Sequence, residues 1–279
     1  MARSVNNTDF PAADACGGFR TLTRPGFKGY CAEYLDGETT EKLLAFDHLL
    51  AAARIVKDSR GTTAGIAEVD GAKVFVKNYN AYNLKRKLRW LLDTPRPQRV
   101  LEATRAISAL GIPVPELLCG ASWKTGVLAR RHAVVFAAYP DPLTAAEQIA
   151  FITEPAVFTR FFDELAAMMA LIHRNSICHG DLKLHNILLR QLRDGGFKLG
   201  LFDFDGVKFG KLSERARAKE LARVLSSFNT LCRQSAISCR EELAREALIG
   251  AYMRESGVAV ASAALDRELA KYATHKPRY

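Results

Sequence analysis

The sequence lacks any run of about 18 consecutive apolar residues, the length that a helix needs to cross a bilayer. Residues 1–14 are polar and do not contain the apolar stretch of a secretory signal. Hydrophobic residues make up 48% of the chain and charged residues 25%, a composition typical of a globular protein that can bury a substantial core. We therefore expect a cytoplasmic protein.

The sequence lacks a C-x-x-C pair, because its six cysteines are scattered along the chain. This spacing predicts neither a disulfide framework nor a zinc site. Cys178 directly precedes a polar motif, but no base at a suitable spacing would activate its thiol. We expect reduced cysteines without a catalytic role.

Acidic residues are in the minority, with 30 Asp and Glu against 40 Lys and Arg, which gives a net charge of +10. Much of the excess lies in residues 85–99 and 208–223. Such charge attracts polyanions, and the candidates are nucleic acid, anionic lipid headgroups, and phosphorylated or carboxylated sugars. The simpler alternative is a solvated basic face that keeps the protein soluble.

Three strands are predicted in the first half of the chain by short β-branched and apolar runs, over residues 53–57, 63–69 and 73–77. The sequence Asp70-Gly71 is typical of a tight hairpin turn between the second strand and the third. The third strand ends on Lys77. The turn before the second strand contains one glycine, Gly61, close to Ser59.

A helix is predicted over residues 98–110, with an apolar stripe that faces the core. Glu102 lies at the flank of this stripe, where its carboxylate could reach a lysine on a neighbouring strand. The alternative is an exposed glutamate that pairs with Arg99 or Arg105.

The main polar motif follows an apolar helix predicted from Thr153, as its N-cap, to His173. Residues 179–189 read His-Gly-Asp-Leu-Lys-Leu-His-Asn-Ile-Leu-Leu, and residues 203–206 read Asp-Phe-Asp-Gly. A single H-x-D would be an ordinary turn. The two segments instead place four polar residues in a fixed order between short apolar strands, which indicates metal-assisted phosphoryl transfer. Such a reaction is catalysed mainly by positioning the reactants and by cations that stabilise the phosphate charge.

The motif resembles the catalytic loop and the metal motif of the protein-kinase-like fold. The resemblance implies that Asp181 orients the acceptor hydroxyl and that Lys183 faces the transferred phosphate. It implies that Asn186 and Asp203 hold Mg²⁺ and that Lys77 binds the α- and β-phosphates of ATP.

The implied fold is α+β, a bilobal protein-kinase-like fold with a small β-rich N-lobe and a larger, mainly helical C-lobe. We expect an N-terminal strap over residues 1–45, the N-lobe over 46–138, and the C-lobe with the catalytic loop and a helical tail over 139–279. Glu102 resembles the helix glutamate that pairs with the nucleotide-binding lysine. Backbone donors around Ser59 and Gly61 are expected to cradle the phosphates.

Four segments together are similar to the lipopolysaccharide-core kinases, the Kdo and heptose kinase family of Gram-negative bacteria. They are Val-Phe-Val-Lys at 74–77, Gly-Ile-Pro-Val-Pro at 111–115, the His-Gly-Asp motif, and Phe-Asp-Phe-Asp-Gly at 202–206. The resemblance implies that the chain is an ATP-dependent phosphotransferase that phosphorylates an inner-core sugar hydroxyl of a glycolipid at the cytoplasmic membrane face.

Three alternatives stay open at this point. One is a soluble small-molecule kinase of the aminoglycoside and choline kinase type, which shares the His-Gly-Asp motif. Another is an ancient-type protein kinase, although no A-P-E segment follows Asp203. The last is a binding protein without catalysis, against which the intact polar positions argue.

The resemblance also implies that the basic segments bind the acceptor and the membrane, because the acceptor is anionic and lies on an anionic bilayer. We expect the acceptor glycolipid and the inner-membrane surface as partners, no nucleic acid, and a peripheral location on the cytoplasmic face. Residues 82–92 are predicted to form an amphipathic surface helix, with Trp90 and its leucine neighbours as weak apolar anchors.

Overall fold

A computed structural model describes residues 17–83, 88, 90, 93–126, 130–138, 144–152, 154–192, 196–235 and 240–273. The chain divides into two compact units, unit 1 (Met1–Asp141) and unit 2 (Pro142–Tyr279). Unit 1 is built on a β-sheet and unit 2 is mainly helical. The predicted α+β class is therefore confirmed.

Unit 1 contains a seven-stranded sheet in which all neighbouring strands are antiparallel. Its strands are β1 (Phe19–Arg24), β2 (Phe27–Ala32), β3 (Arg54–Ser59), β4 (Thr62–Val69), β5 (Ala72–Tyr79), β6 (Leu117–Lys124) and β7 (Arg130–Ala137). Their order across the sheet is β1-β2-β6-β7-β5-β4-β3. The sheet places β5, which carries Lys77, between two neighbours, so that its backbone is fixed on both sides.

The turn between β4 and β5 confirms the hairpin that the sequence predicts. Asp70 has φ 51° and Gly71 has φ 78°. Two successive residues in the left-handed region form the turn whose twist matches that of the flanking strands. Glycine and aspartate tolerate this conformation better than branched residues do, which explains the sequence at this turn.

Two helices that follow the strands β1 and β2 cover one face of the sheet. They are α1 (Gly37–Leu44) and α2 (Phe46–Ala52). The side chain of Asp36 caps α1 by accepting a hydrogen bond of 2.7 Å from the Thr39 backbone N–H. Leu43, Phe46 and Leu49 are buried in one cluster with apolar residues of β4, β5 and β6. Within the N-terminal strap predicted over residues 1–45, the structure thus contains β1, β2 and α1.

A third helix, α3 (Arg96–Ser108), corresponds to the helix predicted over residues 98–110. Pro97 lies at its start, where the missing backbone N–H costs no hydrogen bond. Its buried face carries Val100, Ala103 and Ile107, as the predicted stripe requires.

Unit 2 contains five helices among its described residues, together with two short two-stranded sheets. The helices are α4 (Ala145–Gln148), α5 (Pro155–Arg174), α6 (Glu214–Ser235), α7 (Glu241–Ser256) and α8 (Ser262–Ala273), and the strands are β8 (Ile177–Cys178), β9 (Ile187–Gln191), β10 (Phe197–Leu201) and β11 (Lys208–Phe209). Strand β9 pairs with β10, and β8 pairs with β11.

Helix α5 is the buried helix that the sequence predicts before the polar motif. Phe158, Phe161 and Phe162 are fully or almost fully buried. The rings of Phe158 and Phe162 lie 5.5 Å and 5.4 Å from that of Phe228 in α6, so aromatic packing joins the two helices. The predicted cap Thr153 lies outside the described residues, and the helix begins at Pro155 after Glu154.

Within the described part of the chain, we find no helix with both the length and the hydropathy of a membrane span.

Candidate active site

The polar motif forms a loop whose ends are fixed by short strands of unit 2. Asp181 follows β8, and Asn186 directly precedes β9. The Phe202 backbone N–H donates to the Asn186 carbonyl over 3.2 Å, which joins the loop to the segment that leads to Asp203. The Asn186 backbone N–H donates to the Lys183 carbonyl over 2.8 Å and closes a short helical turn. Two strand pairs thus bring both sequence motifs together.

Two of the predicted residues, Lys183 and Asn186, lie next to the Asp181 carboxylate. The Lys183 Nζ atom lies 3.9 Å from Asp181 Oδ2. The Asn186 Nδ2 atom donates to the Asp181 backbone carbonyl over 2.8 Å and lies 3.4 Å from Asp181 Oδ2. The Asp181 side chain is 44% exposed, so an acceptor hydroxyl can reach it from solvent. The loop therefore presents a carboxylate whose backbone and neighbours are held in place.

The predicted metal ligands fit a hard cation such as Mg²⁺, which prefers oxygen. Because the buried Asn186 uses Nδ2 to bind Asp181, its Oδ1 is the atom left to face a metal. Asp203 has φ 62°, a left-handed conformation that is uncommon for residues other than glycine. Such backbone strain is concentrated at functional sites, where a side chain must be aimed in one direction. Asn186 and Asp203 can thus supply oxygen ligands from the two motifs.

Gly180 lies in a position that admits no side chain. Its φ is 78°, and a Cβ atom built on it would lie 2.1 Å from the Gly206 carbonyl oxygen. The two glycines therefore let the catalytic loop and the Asp-Phe-Asp-Gly segment pass in backbone contact. This approach explains why glycine stands next to Asp181.

A buried glutamate that the sequence analysis did not assign holds this loop. The Glu220 carboxylate accepts from the His179 backbone N–H over 3.2 Å and from the Gly180 backbone N–H. His173 Nε2 lies 2.8 Å from the same carboxylate, and His173 Nδ1 lies 2.8 Å from the Tyr252 hydroxyl. An ionised carboxylate only accepts hydrogen bonds, so His173 donates from Nε2, and its Nδ1 shares the second hydrogen bond with the Tyr252 hydroxyl.

The protonation of Glu220 follows from these contacts. Burial alone would raise the pKa of its carboxyl group, but the hydrogen bond and charge of His173, the charge of His179 and the Gly180 N–H together hold the pKa below its usual value. Glu220 is therefore a buried carboxylate that receives three hydrogen bonds, one from His173 of α5 and two from the backbone of the loop. It connects α5 and α6 to the backbone that precedes Asp181.

Two further residues on one face of α6 contact the same loop. Arg223 Nη1 donates to the Gly180 carbonyl, and Arg223 Nε lies 3.7 Å from Asp181 Oδ1. The Ser227 hydroxyl accepts from the Leu184 backbone N–H over 3.1 Å. Glu220, Arg223 and Ser227 are spaced by three and four residues, which places them on one side of a helix. The sequence shows this spacing as well, but it does not indicate that the catalytic loop lies against this face of the helix.

Two other titratable groups lie near the loop, the Cys178 thiol and the His185 imidazole. Burial and the nearby Glu220 carboxylate raise the pKa of the Cys178 thiol to about 11, so the thiol is protonated at neutral pH. Burial, followed by the charge of Lys183, lowers the pKa of His185 below its usual value. Neither group has the properties of an activated nucleophile or a cationic ligand.

The predicted nucleotide-binding residues lie in unit 1. Lys77 is 6% exposed, and its Nζ atom lies 5.5 Å from the centre of the Tyr79 ring. The Ser59 hydroxyl donates to the Thr62 carbonyl over 2.9 Å and accepts from the Thr62 N–H over 3.2 Å. The Gly61 carbonyl accepts from the Asn80 N–H over 3.1 Å. The turn at Ser59 and Gly61 is therefore held by its own hydrogen bonds and by Asn80, the residue that follows β5.

Glu102 lies on the exposed side of α3. Its carboxylate accepts a hydrogen bond of 2.9 Å from the Gln98 side chain, one helical turn earlier. Its pairing with Lys77 stays a prediction.

The basic segment over residues 82–92 lies largely outside the described residues. Trp90 is described, and it is 5% exposed. Its ring packs 4.4 Å from the His132 ring, in a buried cluster with Val100, Leu117 and Val134. The expectation that Trp90 anchors the protein to a membrane is therefore wrong, because the core of unit 1 already buries this side chain.

Comparisons with known proteins show the family to which the chain belongs. A family model described as the lipopolysaccharide kinase (Kdo/WaaP) family matches residues 51–252. The 3-deoxy-D-manno-octulosonic acid kinase of Pasteurella multocida (strain Pm70) is 44% identical over 57 residues, which are 20% of this chain and 23% of that protein. That match thus spans less than a quarter of the relative's length.

The solved structure of WaaP in complex with acyl carrier protein aligns with a TM-score of 0.56 and 17% identity, over 85% of this chain and 98% of that chain. At this identity the likeness shows a shared fold, and it confirms the predicted kinase-like fold. The family model covers most of the chain, including Lys77, the catalytic loop, Asp203 and Glu220. The chain therefore belongs to the lipopolysaccharide kinase (Kdo/WaaP) family, a family of kinases.

Proposed function

We propose that the protein transfers the γ-phosphate of ATP to a sugar hydroxyl of the lipopolysaccharide inner core, on Kdo or heptose. The observation that carries the proposal is the geometry of the catalytic loop. Its half-exposed Asp181 carboxylate has a cation near each oxygen, Lys183 and Arg223, and an amide, Asn186, at its backbone. Family membership supports a phosphorylated sugar as the product.

ATP with Mg²⁺ supplies the phosphoryl group and a cation that neutralises its charge. Asp181 orients the acceptor hydroxyl and takes up its proton, for which a carboxylate within hydrogen-bond distance is sufficient. Lys183 stabilises the negative charge on the transferred group. Asn186 and Asp203 hold the metal through oxygen atoms.

In unit 1, the buried Lys77 binds the α- and β-phosphates, and a low-dielectric position strengthens its attraction for them. Glu102 pairs with Lys77, and the backbone around Ser59 and Gly61 covers the phosphates. A double-mutant cycle on kcat tests the pairing of Lys77 with Glu102.

The experiment that tests the proposal is phosphate transfer from labelled ATP to a panel of acceptors. The panel contains purified core oligosaccharides with Kdo or heptose, soluble amines and alcohols, and a protein acceptor. We expect label on the core sugars alone, and transfer at least about 100-fold slower with the Asp181→Ala variant. Label on aminoglycoside or choline acceptors, or on protein, would replace the proposed acceptor with a soluble metabolite or a polypeptide.

We further propose that the protein is cytoplasmic and binds peripherally to the inner face of the inner membrane, with the core glycolipid as its partner. The net charge of +10 supports this location, and Lys208, Lys211 and Arg215 are exposed in unit 2. Each base near an anionic bilayer contributes about 1 kcal/mol. The four bases at residues 85, 86, 87 and 89 lie in the segment outside the described residues.

Vesicle binding tests this location. Charge reversal of all four bases should reduce binding to anionic vesicles and phosphorylation of intact glycolipid in them, and should leave activity on a detached core oligosaccharide unchanged. Binding should also weaken with salt, because the Debye length is about 10 Å at 0.1 M and shortens as salt rises. Equal loss on both acceptors would show that these bases shape the active site and do not bind the membrane.

A further inference from the structure

A buried histidine of unit 1 has polar atoms that the described part of the chain does not satisfy. His132 of β7 is 0% exposed, and neither of its ring nitrogens has a hydrogen-bond partner among the described residues. The Trp90 ring packs 4.4 Å from the His132 ring, but this contact provides no hydrogen bond. Buried polar atoms are almost always hydrogen-bonded, so His132 points to a ligand.

The positions around His132 on the same face of the sheet are basic or hydroxylic. Arg130 lies two residues before His132 on β7, so both side chains lie on one face. The Arg130 Nε atom is also buried and has no hydrogen-bond partner within the described ranges. Ser122 of β6 and Tyr79 of β5 lie directly opposite His132, and Lys124 lies opposite Arg130. This end of the sheet thus combines hydrogen-bond donors with positive charge.

The N-terminus of α3 lies on this face. The Tyr30 hydroxyl of β2 donates to the Pro97 carbonyl over 2.8 Å, and a Cβ atom built on Gly120 of β6 would lie 3.1 Å from the Pro97 Cβ. Gly120 and Ser122 lie on the same side of β6. All residues of α3 are described, and the helix has neither a side-chain cap nor an acid in its first turn. Its first N–H groups and its dipole therefore attract an anion.

Two arginines at the start of α3 add positive charge beside His132. The Arg96 guanidinium lies over the Tyr79 ring, with 5.4 Å between its central carbon and the ring centre. Burial lowers the pKa of His132 to about 3, and the neighbouring charges that lower it further are those of Arg96, Arg130 and Arg99. The imidazole is therefore neutral at neutral pH and keeps one N–H donor for an anion.

We propose that His132, Arg130 and the N-terminus of α3 form a binding site for a phosphate group. The His132 N–H and the Arg130 guanidinium donate hydrogen bonds to its oxygens, and the helix end stabilises its charge. A phosphate fits better than a carboxylate, because the donors come from a strand and from a helix, and a tetrahedral anion has oxygens that face both. The site is built within unit 1 and does not rest on the proposed function.

The test uses inorganic phosphate as the probe and NMR of the histidine ring nitrogens of the whole protein as the readout. The chain has six histidines, so each can be followed, and His179 and His185 report on the catalytic loop. At constant ionic strength, phosphate should shift the His132 signals with a Kd of about 1 mM or tighter. Arg130→Gln should raise this Kd about 10- to 100-fold, the range for a hydrogen bond to a charged group.

Arg131→Gln is the matched control. Arg131 follows Arg130 on β7, so its side chain lies on the other face of the sheet, where it pairs with Asp47. This variant loses the same charge and should keep the phosphate Kd within twofold of the wild type. Arg130→Lys keeps the charge without the planar fork and should have an intermediate Kd. The wild-type titration tests the site even if a variant does not fold.

Three results would overturn the proposal. One is an unshifted His132 in the wild type at about 10 mM phosphate, ten times the expected Kd. Another is an equal phosphate Kd in Arg130→Gln and Arg131→Gln. The third is displacement of phosphate from His132 by ATP with Mg²⁺, because the group would then belong to the nucleotide site.

Vesicles distinguish the two sources of the phosphate group. If vesicles with phosphatidic acid displace inorganic phosphate from His132 and vesicles with the same fraction of phosphatidylserine do not, the ligand is a lipid headgroup with a terminal phosphate. If neither displaces it, the ligand is a soluble phosphate. Equal displacement by both would overturn the proposed preference for a phosphate group, since negative charge alone would then be sufficient.

Discussion

Replacing Glu220 by glutamine tests how the catalytic loop is held. The carboxylate accepts hydrogen bonds from His173 and from the backbone N–H groups of His179 and Gly180. Glutamine has the same shape, but it loses the charge and turns an NH₂ group toward some of these donors. Breaking a buried, hydrogen-bonded ionic group costs about 3–5 kcal/mol.

Hydrogen exchange of peptides that cover residues 177–190 measures this loss directly, because local opening exposes the two loop amides. We expect exchange at least about 100-fold faster in Glu220→Gln, since about 1.4 kcal/mol is a factor of ten. Glu246→Gln is the control, because Glu246 is exposed on α7 and its change should stay within about 0.5 kcal/mol. Unchanged exchange in Glu220→Gln would refute the view that this carboxylate supports the loop.

The pH dependence gives a second check on Glu220. Its pKa is lower in the folded protein than the usual 4.5 of a glutamate, so the unfolded state binds the proton more readily. The stability that it contributes is therefore complete above about pH 4.5 and is lost as the pH falls through the folded pKa. The difference in the free energy of unfolding between wild type and Glu220→Gln should shrink only below pH 4.5. A difference that stays constant at all pH values would contradict the lowered pKa of Glu220.

Three further predictions concern the other residues of the site. Gly180→Ala should lower the free energy of unfolding by about 2–4 kcal/mol and abolish transfer, because it adds a clash with the Gly206 carbonyl to the left-handed strain. The control is Gly257→Ala, with φ 66° and no atom near its Cβ, which should show the strain alone, about 1–2 kcal/mol. Equal losses of stability in the two variants would mean that the two loops at Gly180 and Gly206 can separate. Asp181→Ala should lower kcat at least about 100-fold with little change in thermal stability, since the side chain is half-exposed, and near-normal turnover would remove Asp181 from the mechanism. In a double-mutant cycle on kcat, Lys77→Ala and Glu102→Ala should show strong coupling, and additive effects would indicate that Glu102 is only an exposed helix residue bound to its own helix.

The features that the sequence could predict are those that local chemistry determines. The hairpin at Asp70 and Gly71 follows from strand alternation and from two residues that tolerate positive φ. Asp181 and Asn186 could be found because their spacing within one loop is itself the signal, and the structure places them in contact. In these cases the residues that act together are close in the sequence.

Contacts between distant segments could not be predicted in this way. Glu220 lies 41 residues after His179, within a run of charged residues that resembles a solvated helix face. Trp90 lies among bases, a pattern typical of an amphipathic surface helix, but Leu117 and Val134 bury it. Strands β1 and β2 are short and flank a Pro-Gly turn, so they become strands only through pairing with each other and with β6.

The chain of contacts from Tyr252 through His173 to Glu220 has a consequence for how the protein is made. Tyr252 is translated 79 residues after His173, and at about 5–20 residues per second the ribosome needs several seconds to reach it. Before α7 is made, the nascent chain already contains the whole His-Gly-Asp motif, α5 and α6, but it lacks the Tyr252 hydroxyl that meets His173. The last contact in this chain is therefore formed late in synthesis, and a polypeptide whose translation stops before α7 carries the whole polar loop and Glu220 without the hydroxyl that meets His173.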